Sequence, residues 1–297
     1  MLSQDREVYY GLRDVKWNRR PWQGVGMVAT YLVLAAGAVI FLLHFFWMVG
    51  TSLKEQQEVY TFPPTFIPKA WRWQNFPDGW THENTMFPQW TANTLWITAG
   101  AMAGILLTSS LCAYGFARLT FPGRDFWFMV VLASIMLPGP VTLIPLFVGY
   151  QRIGWLNTFK PLIIPAWFGG GAFNIFLLRQ FFKGIPIELE EAAIVDGASR
   201  FRIWWQIFLP LSKPALATIA VFTFQATWND FYGPLIFLST REKYTLAIGI
   251  NNFKGLYNTE VPLMMAMSFL MVIPMLIVFF FAQKLMIRGV VLSGIKG

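Results

Sequence analysis

The sequence predicts an all-α membrane protein with six transmembrane helices, and three observations indicate this class. The 297 residues are 56% hydrophobic and 13% charged, which is roughly half the charged fraction of an ordinary soluble domain. Six apolar runs approach or exceed the roughly 20 residues that a helix needs to cross a bilayer. The alternating pattern of a membrane barrel is absent, so helices are expected to pair the backbone groups within lipid.

The apolar runs divide the chain into an N-terminal segment at 1–24, a transmembrane domain at 25–285 and a C-terminal tail at 286–297. A polar connection at 185–214 interrupts the domain. Prolines in the third span and glycines in the fourth predict kinks or breaks there. The predicted spans are 25–50, 90–117, 126–150, 161–178, 215–238 and 261–282.

Basic residues are distributed unevenly between the two sides that six spans create. The side with both termini and the 185–214 connection carries 15 of the 23 Lys and Arg residues, and the other side carries 8. Lys and Arg are enriched in cytoplasmic segments. Both termini and the 185–214 connection are therefore predicted to be cytoplasmic.

The composition argues against several other classes of protein. The net charge of +8 could suggest nucleic acid, but the basic residues lie in short segments between apolar runs, so no nucleic-acid partner is expected. One cysteine, Cys112, and two distant histidines leave no disulfide framework and little for a metal site. The chain lacks the Gly-x-x-x-x-Gly-Lys-Ser/Thr motif of ATPases and any credible catalytic cluster, so we do not expect an enzyme.

The 185–214 connection begins with the features of a short helix. Pro186 suits the first helical turn, where its missing N–H costs nothing, and three glutamates follow where the helix dipole favours anions. Gly197 supplies the positive φ at which helices commonly end. This helix either lies on the bilayer or docks a cytoplasmic protein, and its acidic, small-residue surface has little to offer an anionic membrane.

A second helix is predicted to begin at Ser199, whose side chain can cap it, and to end or bend at Pro210. Bulky apolar residues recur along it at helical spacing, so we predict that they hold the connection against the membrane bundle. These residues are Phe201, Trp204, Trp205 and Phe208.

Residues 191–210, EAAIVDGASRFRIWWQIFLP, resemble the EAA loop of ABC-importer permeases. The EAA triplet is followed by a glycine at 197, and an Ile-x-Leu-Pro sequence ends at 210 with the expected spacing. Other segments resemble the smaller permease subunit of maltose-type carbohydrate importers, and the resemblance covers the chain from about residue 26. These segments are Asn93, 113–118, 228–230 and 289–297.

The resemblance implies a type I importer (MetI-like) permease fold and uptake of a carbohydrate by alternating access. The implied partners are a second, related permease, two cytoplasmic ATPases that hold ATP and Mg²⁺, an external solute-binding protein and membrane lipid. The chain itself would bind no cofactor. The implied location is the plasma membrane of a bacterium or archaeon, which is the inner membrane in a Gram-negative cell.

The resemblance also implies roles for residues at matching positions. The first helix of the loop would be the coupling helix that sits in a cleft of the ATPase, and the tail would reach between the ATPase subunits. The implied coupling residues are Glu190, Glu191, Ala192, Ala193, Asp196, Gly197, Ile207, Leu209 and Pro210. The implied tail contacts are Gly294, Lys296 and Gly297.

Some features leave alternatives open. Asp230 lies beside Asn229 in the fifth span, where a charge costs roughly 2.5–3.5 kcal/mol on insertion scales and should face protein or water. It is either a pathway residue, with Trp228 and Phe224 as sugar-stacking rings, or a hydrogen-bonding group that pins a helix break. The outer connection at 51–89 is either an interfacial aromatic segment or a surface for an external partner.

The alternative function is a self-contained secondary transporter or channel. Such a protein would transport its substrate alone, driven by an ion gradient and indifferent to ATP. The sequence has no internal repeat and no paired intramembrane charges, and both absences argue against this alternative.

Overall fold

The computed structural model describes residues 21–254 and 259–293. The first twenty residues and the predicted tail contacts Gly294, Lys296 and Gly297 lie outside this range. Within it the backbone is mainly helical and forms no β-strand. In chain order the α-helices are α1 (Pro21–Ser52), α2 (Gln56–Val59), α3 (Asn75–Trp80), α4 (Phe87–Arg118), α5 (Arg124–Ala133), α6 (Gly139–Arg152), α7 (Lys160–Ile163), α8 (Ala172–Lys183), α9 (Glu188–Val195), α10 (Arg200–Ile203), α11 (Leu209–Leu211), α12 (Lys213–Trp228), α13 (Tyr232–Phe237), α14 (Leu246–Gly249) and α15 (Val261–Ser293).

Four segments of the described chain are long and apolar enough to cross a membrane, and two bent helix pairs could raise the number to six. The helical class predicted from the sequence is therefore confirmed, whereas six spans remain a prediction. The four segments are Gly26–Ser52, Phe87–Arg118, Lys160–Lys183 and Val261–Leu285, and the pairs are Arg124–Met136 with Val141–Arg152 and Arg200–Leu211 with Lys213–Trp228.

Helix α4 is the centre of the bundle, because α8, α12 and the 3₁₀ turn Ile164–Trp167 pack against it. Near its C-terminal end Tyr114 joins a core cluster that includes Phe208. Near its N-terminal end Trp90 joins a second cluster that includes Met267. We call the end of the bundle that carries Trp90 the outer side, since it lies opposite the predicted cytoplasmic side.

Backbone breaks occur where prolines and glycines interrupt the predicted spans. The third span is divided at Pro138, whose extended backbone separates a 3₁₀ turn from α6. The fourth is divided between residues 168 and 171, where Gly169, Gly170 and Gly171 all have positive φ. In lipid, freed backbone groups need partners within the protein. Asn174 Nδ2 supplies one by donating to the Gly170 carbonyl at 2.8 Å.

The fifth span differs most from its predicted range. Helix α12 ends at Trp228, whereas the prediction extended the helix to residue 238. The polar pair Asn229 and Asp230 interrupts the helix, and Asp230 Oδ1 accepts a hydrogen bond from the Gly233 N–H at 3.1 Å. That bond satisfies a backbone donor at the start of α13, so a capped break replaces the outer part of the predicted helix.

Two outer connections are joined by the side chain of Asn157. Its Oδ1 accepts hydrogen bonds from the Ser239 N–H at 3.2 Å, the Thr240 N–H at 3.2 Å and the Thr240 hydroxyl at 3.0 Å. The Lys243 ammonium donates to the Asn157 carbonyl at 2.6 Å. Asn157 has a φ of 55°, a conformation that asparagine tolerates better than most residues.

We expect Asn157→Ala to lower the free energy of unfolding by about 1–3 kcal/mol, because three donors lose their common acceptor. Asn157→Asp keeps an acceptor oxygen at the same place and should unfold close to the parent. Thermal unfolding of the two variants in lipid nanodiscs measures the difference. Equal midpoints for Ala and Asp would show that the hydrogen bonds to Oδ1 contribute nothing.

Candidate partner-coupling site

The predicted first helix of the 185–214 connection is present as α9, and it ends in a glycine-terminated turn. The Gly197 N–H donates to the Ile194 carbonyl at 2.9 Å, and the Ala198 N–H donates to the Ala193 carbonyl at 2.9 Å. Gly197 has a φ of +78°. These are the two hydrogen bonds and the left-handed residue of a Schellman motif, so the helix stop predicted at Gly197 is confirmed.

The second helix begins as predicted but changes its pitch. Ser199 Oγ accepts from the Arg202 N–H at 3.3 Å and caps α10. A π-helix, Trp204–Phe208, follows before α11. Pro210 has no N–H to donate to the preceding turn, and such a wide turn is one way for a helix to accommodate that loss.

The predicted apolar stripe of the second helix is wrong in part. Trp204 and Phe208 are buried at 3% and 0% exposure, but Phe201 and Trp205 are 63% and 53% exposed. A π-helical turn contains more residues than an α-helical one, so an α-helical spacing does not keep all four side chains on one face. Ile203, at 1% exposure, joins the buried face instead.

Glu190 is buried at the base of the 185–214 connection, which we call the loop, rather than displayed on its surface. Its carboxylate is 5% exposed, and Oε1 lies 2.5 Å from Arg200 Nη1. Oε2 lies 3.8 Å from Arg118 Nε, and the Tyr114 hydroxyl donates to Oε1 at 3.4 Å. The sequence placed Glu190 on the contact surface, and the structure instead gives it three partners within the chain.

Arg118 connects the base of the loop to two long helices. It is the last residue of α4, and its guanidinium donates to the Phe182 carbonyl at 2.7 Å and to the Ile185 carbonyl. It also lies over the Phe208 ring, 5.1 Å from the centroid. The end of α4, the end of α8 and the start of the loop are thereby held around one buried cation, which Glu190 neutralises.

The exposed surface of the loop combines acidic and apolar side chains. Glu191, Ala192 and Asp196 are exposed. Ile194 and Val195 are exposed as well, at 42% and 87%. These two are not among the contact residues predicted from the sequence, although an aliphatic pair between the alanines and the aspartate is a visible signal there. Two adjacent exposed aliphatic side chains on a polar loop are typical of a surface that contacts another protein.

The remaining predicted coupling residues lie in two different environments. Ala193, Ile207 and Leu209 are partly buried against the core cluster, so they support the loop. Gly197 and Pro210 are exposed. Between the two helices of the loop lies an open cleft of about 190 Å³, with Asp196 and Arg202 among its lining residues. The loop therefore presents a small concavity beside its acidic helix.

The four candidate pathway residues do not form a shared site within this chain. Phe224 and Trp228 stack with ring centroids 5.2 Å apart, and Trp228 Nε1 donates to the Met271 carbonyl at 2.9 Å. Both rings belong to the outer core cluster. Asn229 is exposed, and Asp230 caps the break before α13. This geometry favours the structural alternative for three of the four, and a pathway role remains a prediction for Asn229.

Within the described residues, no group of three or more His, Cys, Asp and Glu side chains is placed to hold a metal ion.

The chain is similar in sequence to a family of membrane transport proteins and to characterised members of it. Residues 100–291 match the family model of the "binding-protein-dependent transport system inner membrane component". The galactooligosaccharides transport system permease protein GanQ of Bacillus subtilis is 32% identical over 288 residues, which cover 96% of this chain and 100% of that protein. The sn-glycerol-3-phosphate transport system permease protein UgpE of Pectobacterium atrosepticum is 32% identical over 266 residues, which cover 88% and 93%.

A solved structure shares the fold. The crystal structure of a bacterial ABC transporter involved in the import of the acidic polysaccharide alginate contains a chain that matches with a TM-score of 0.78. The match covers 89% of this chain and 98% of that one, at 23% sequence identity. At this identity the likeness concerns the arrangement of helices.

Proposed function

This chain belongs to the family of inner membrane components of binding-protein-dependent transport systems, and we propose that it is a carbohydrate-translocating permease of an ATP-driven importer. Its partners would be a second related permease, two cytoplasmic ATPases and an external solute-binding protein. ATP and Mg²⁺ would bind to the ATPases. Six spans and cytoplasmic termini belong to the same proposal, which the excess of basic residues on one side supports.

The observation that carries the proposal is the contrast between the two adjacent glutamates of α9. Glu190 is buried and neutralises Arg118, whereas Glu191 is exposed beside the aliphatic pair at 194 and 195. One carboxylate therefore fixes the loop to the bundle, and the other is available to a partner. We assign the ATPase contact to Glu191, Ala192 and Asp196, extended by Ile194 and Val195.

The support under this surface gives the loop a mechanical function. A coupling element must transmit the movement of the ATPase to the transmembrane helices rather than deform under it. Arg118 joins the start of the loop to α4 and α8 through backbone carbonyls, and Trp204 and Phe208 fill the core between them. Movement of the docked ATPase would therefore move these helices together with the loop, which is what alternating access requires.

We expect Glu191→Lys to abolish substrate-stimulated ATPase activity and transport in the reconstituted complex while leaving the fold intact. The exposed carboxylate would become a cation facing the basic group that we propose on the ATPase, and like charges in an interface oppose docking. The measurement is ATP hydrolysis with and without binding protein and sugar. Glu55→Lys makes the same charge change at an exposed position of the outer connection and should retain activity.

Unchanged stimulation in Glu191→Lys would refute the coupling assignment. Transport by this chain alone, driven by an ion gradient and independent of ATP, would favour the secondary transporter or channel instead. The substrate class rests on relatives whose names specify oligosaccharides, and UgpE is named for a phosphorylated polyol. Uptake assays should therefore include oligosaccharides and sn-glycerol 3-phosphate, and preference for the latter would overturn the carbohydrate assignment.

A further inference from the structure

The connection between α1 and α4 folds into a cap on the outer side, and two of its charged side chains point inward. Lys54 and Glu58 are only 2% and 9% exposed. The Lys54 ammonium donates to the Thr65 carbonyl and lies 4.7 Å from the centre of the Trp47 ring. Glu58 Oε1 accepts from the Thr65 hydroxyl at 2.9 Å and from the Lys69 N–H at 3.1 Å. The cap therefore has a polar interior.

Six large apolar side chains are exposed along residues 60–73 of this cap, and we call them the aromatic rim. No charged residue occurs from 61 to 68. Polar groups inside and apolar groups outside reverse the distribution found in water, and they suit a surface that contacts hydrocarbon. The exposed side chains of the rim are Tyr60 (63%), Phe62 (94%), Phe66 (54%), Ile67 (72%), Trp71 (58%) and Trp73 (64%).

The aromatic rim is continuous with the exposed apolar surface of α1. The Phe66 ring packs edge-on against Trp47, with centroids 4.8 Å apart. The Phe66 carbonyl lies so close over Gly50 that a Cβ there would be 2.5 Å from it. Trp47 and Gly50 belong to the last turns of α1, a candidate span whose most apolar stretch is unburied. The rim therefore lies at the outer end of a span, where aromatic residues concentrate in membrane proteins.

We propose that the aromatic rim is a lipid-binding surface that inserts into the interface of the outer leaflet beside α1. Its rings would occupy the boundary between headgroups and acyl chains, and the exposed Lys69 at its edge would face lipid phosphates. Arg72 lies beside it but already pairs with Asp78 at 3.6 Å. A transient soluble partner suits this surface less well. Such a partner leaves in every cycle and would return to water an apolar patch that soluble surfaces rarely display.

Site-directed spin labelling tests this inference, which goes beyond the proposed function and needs only that α1 spans the membrane. In a Cys112→Ser background, Ile67→Cys and Trp73→Cys place a nitroxide on the rim. Val33→Cys, on exposed α1, is the lipid control, and Glu55→Cys, on the same cap, is the water control. Each complex is reconstituted in nanodiscs, and the signal from the Cys112→Ser complex is subtracted.

The readout is the ratio of collisions with oxygen, which concentrates in lipid, to collisions with a nickel chelate, which stays in water. At 67 and 73 we expect a ratio clearly above that at 55 and below that at 33, because the interface is shallower than the middle of the span. A ratio like that at 55 would overturn the proposal. So would shielding from both reagents that appears only when binding protein is added, because a protein would then cover the rim. Either outcome leaves the ATPase result for Glu191→Lys untouched, so the two proposals fail separately.

Discussion

Glu190→Ala is expected to lower the free energy of unfolding by about 3–5 kcal/mol, the cost of leaving one member of a buried ion pair without its partner. The charge left without a counter-ion would be that of Arg118, whose side chain is 9% exposed and whose two carbonyl partners carry no charge to neutralise it. Arg200 contributes less to this loss, because it is 55% exposed and can turn to water. Thermal unfolding in nanodiscs should therefore show a markedly lower midpoint for this variant.

The adjacent residue provides a matched control for this result. Glu191→Ala removes the same side chain from the same helix at an exposed position, so its midpoint should stay close to that of the parent. The two variants should also separate in function, since Glu191→Ala is expected to weaken coupling without weakening the fold. Similar unfolding midpoints for both alanine variants would contradict the buried role of Glu190.

Gly170→Ala should disrupt the break in the fourth span more than any other alanine substitution in that glycine run. Gly170 has a φ of +65°, which alanine adopts at a cost of about 1 kcal/mol or more. The added Cβ would also lie 2.7 Å from the Ile105 carbonyl and 2.8 Å from the Ser109 backbone nitrogen. Both obstacles are backbone atoms of α4, so the segment must move away, at an overpacking cost of about 1–3 kcal/mol.

Gly154→Ala separates the strain from the collision. Gly154 has nearly the same φ, +68°, yet no atom lies within 4 Å of the position that its Cβ would take. Its unfolding midpoint should fall only by the cost of holding alanine at a positive φ, whereas that of Gly170→Ala should fall further because its Cβ also meets α4. If both variants unfold alike, the close approach of residue 170 to α4 does not contribute to stability.

Much of the fold followed from patterns that act within a few residues along the chain. Apolar length predicted the helical class, and Gly197 and Ser199 predicted the turn between the loop helices. The spacing of the loop residues indicated a resemblance to importer permeases, and the family match confirms it. Each of these signals reflects backbone conformation or transfer to lipid, which depend little on tertiary neighbours.

The rest depended on partners that are distant in sequence. Nothing near Glu190 indicates that Arg118 and Tyr114, some seventy residues earlier, approach it and turn it inward. The end of α12 at Trp228 depended on whether Asp230 could find a backbone donor, which it does at Gly233. Nothing near Trp228 in sequence indicates that its ring is 1% exposed or that its indole Nε1 donates a hydrogen bond to the Met271 carbonyl on α15.

Helix α4 is hydrogen-bonded to other segments near both ends, so in the proposed transport cycle it would act as a lever. At one end Arg118 donates hydrogen bonds to the Phe182 and Ile185 carbonyls at the base of the loop. Near the other, Asn93 donates to the carbonyls of Glu242 and Tyr244 at 2.8 and 2.9 Å. About 38 Å of helix separates Asn93 from Arg118, so a rigid tilt of about ten degrees would carry the outer connection through about 6–7 Å. The displacement of the outer side would thus be set by the length of one helix.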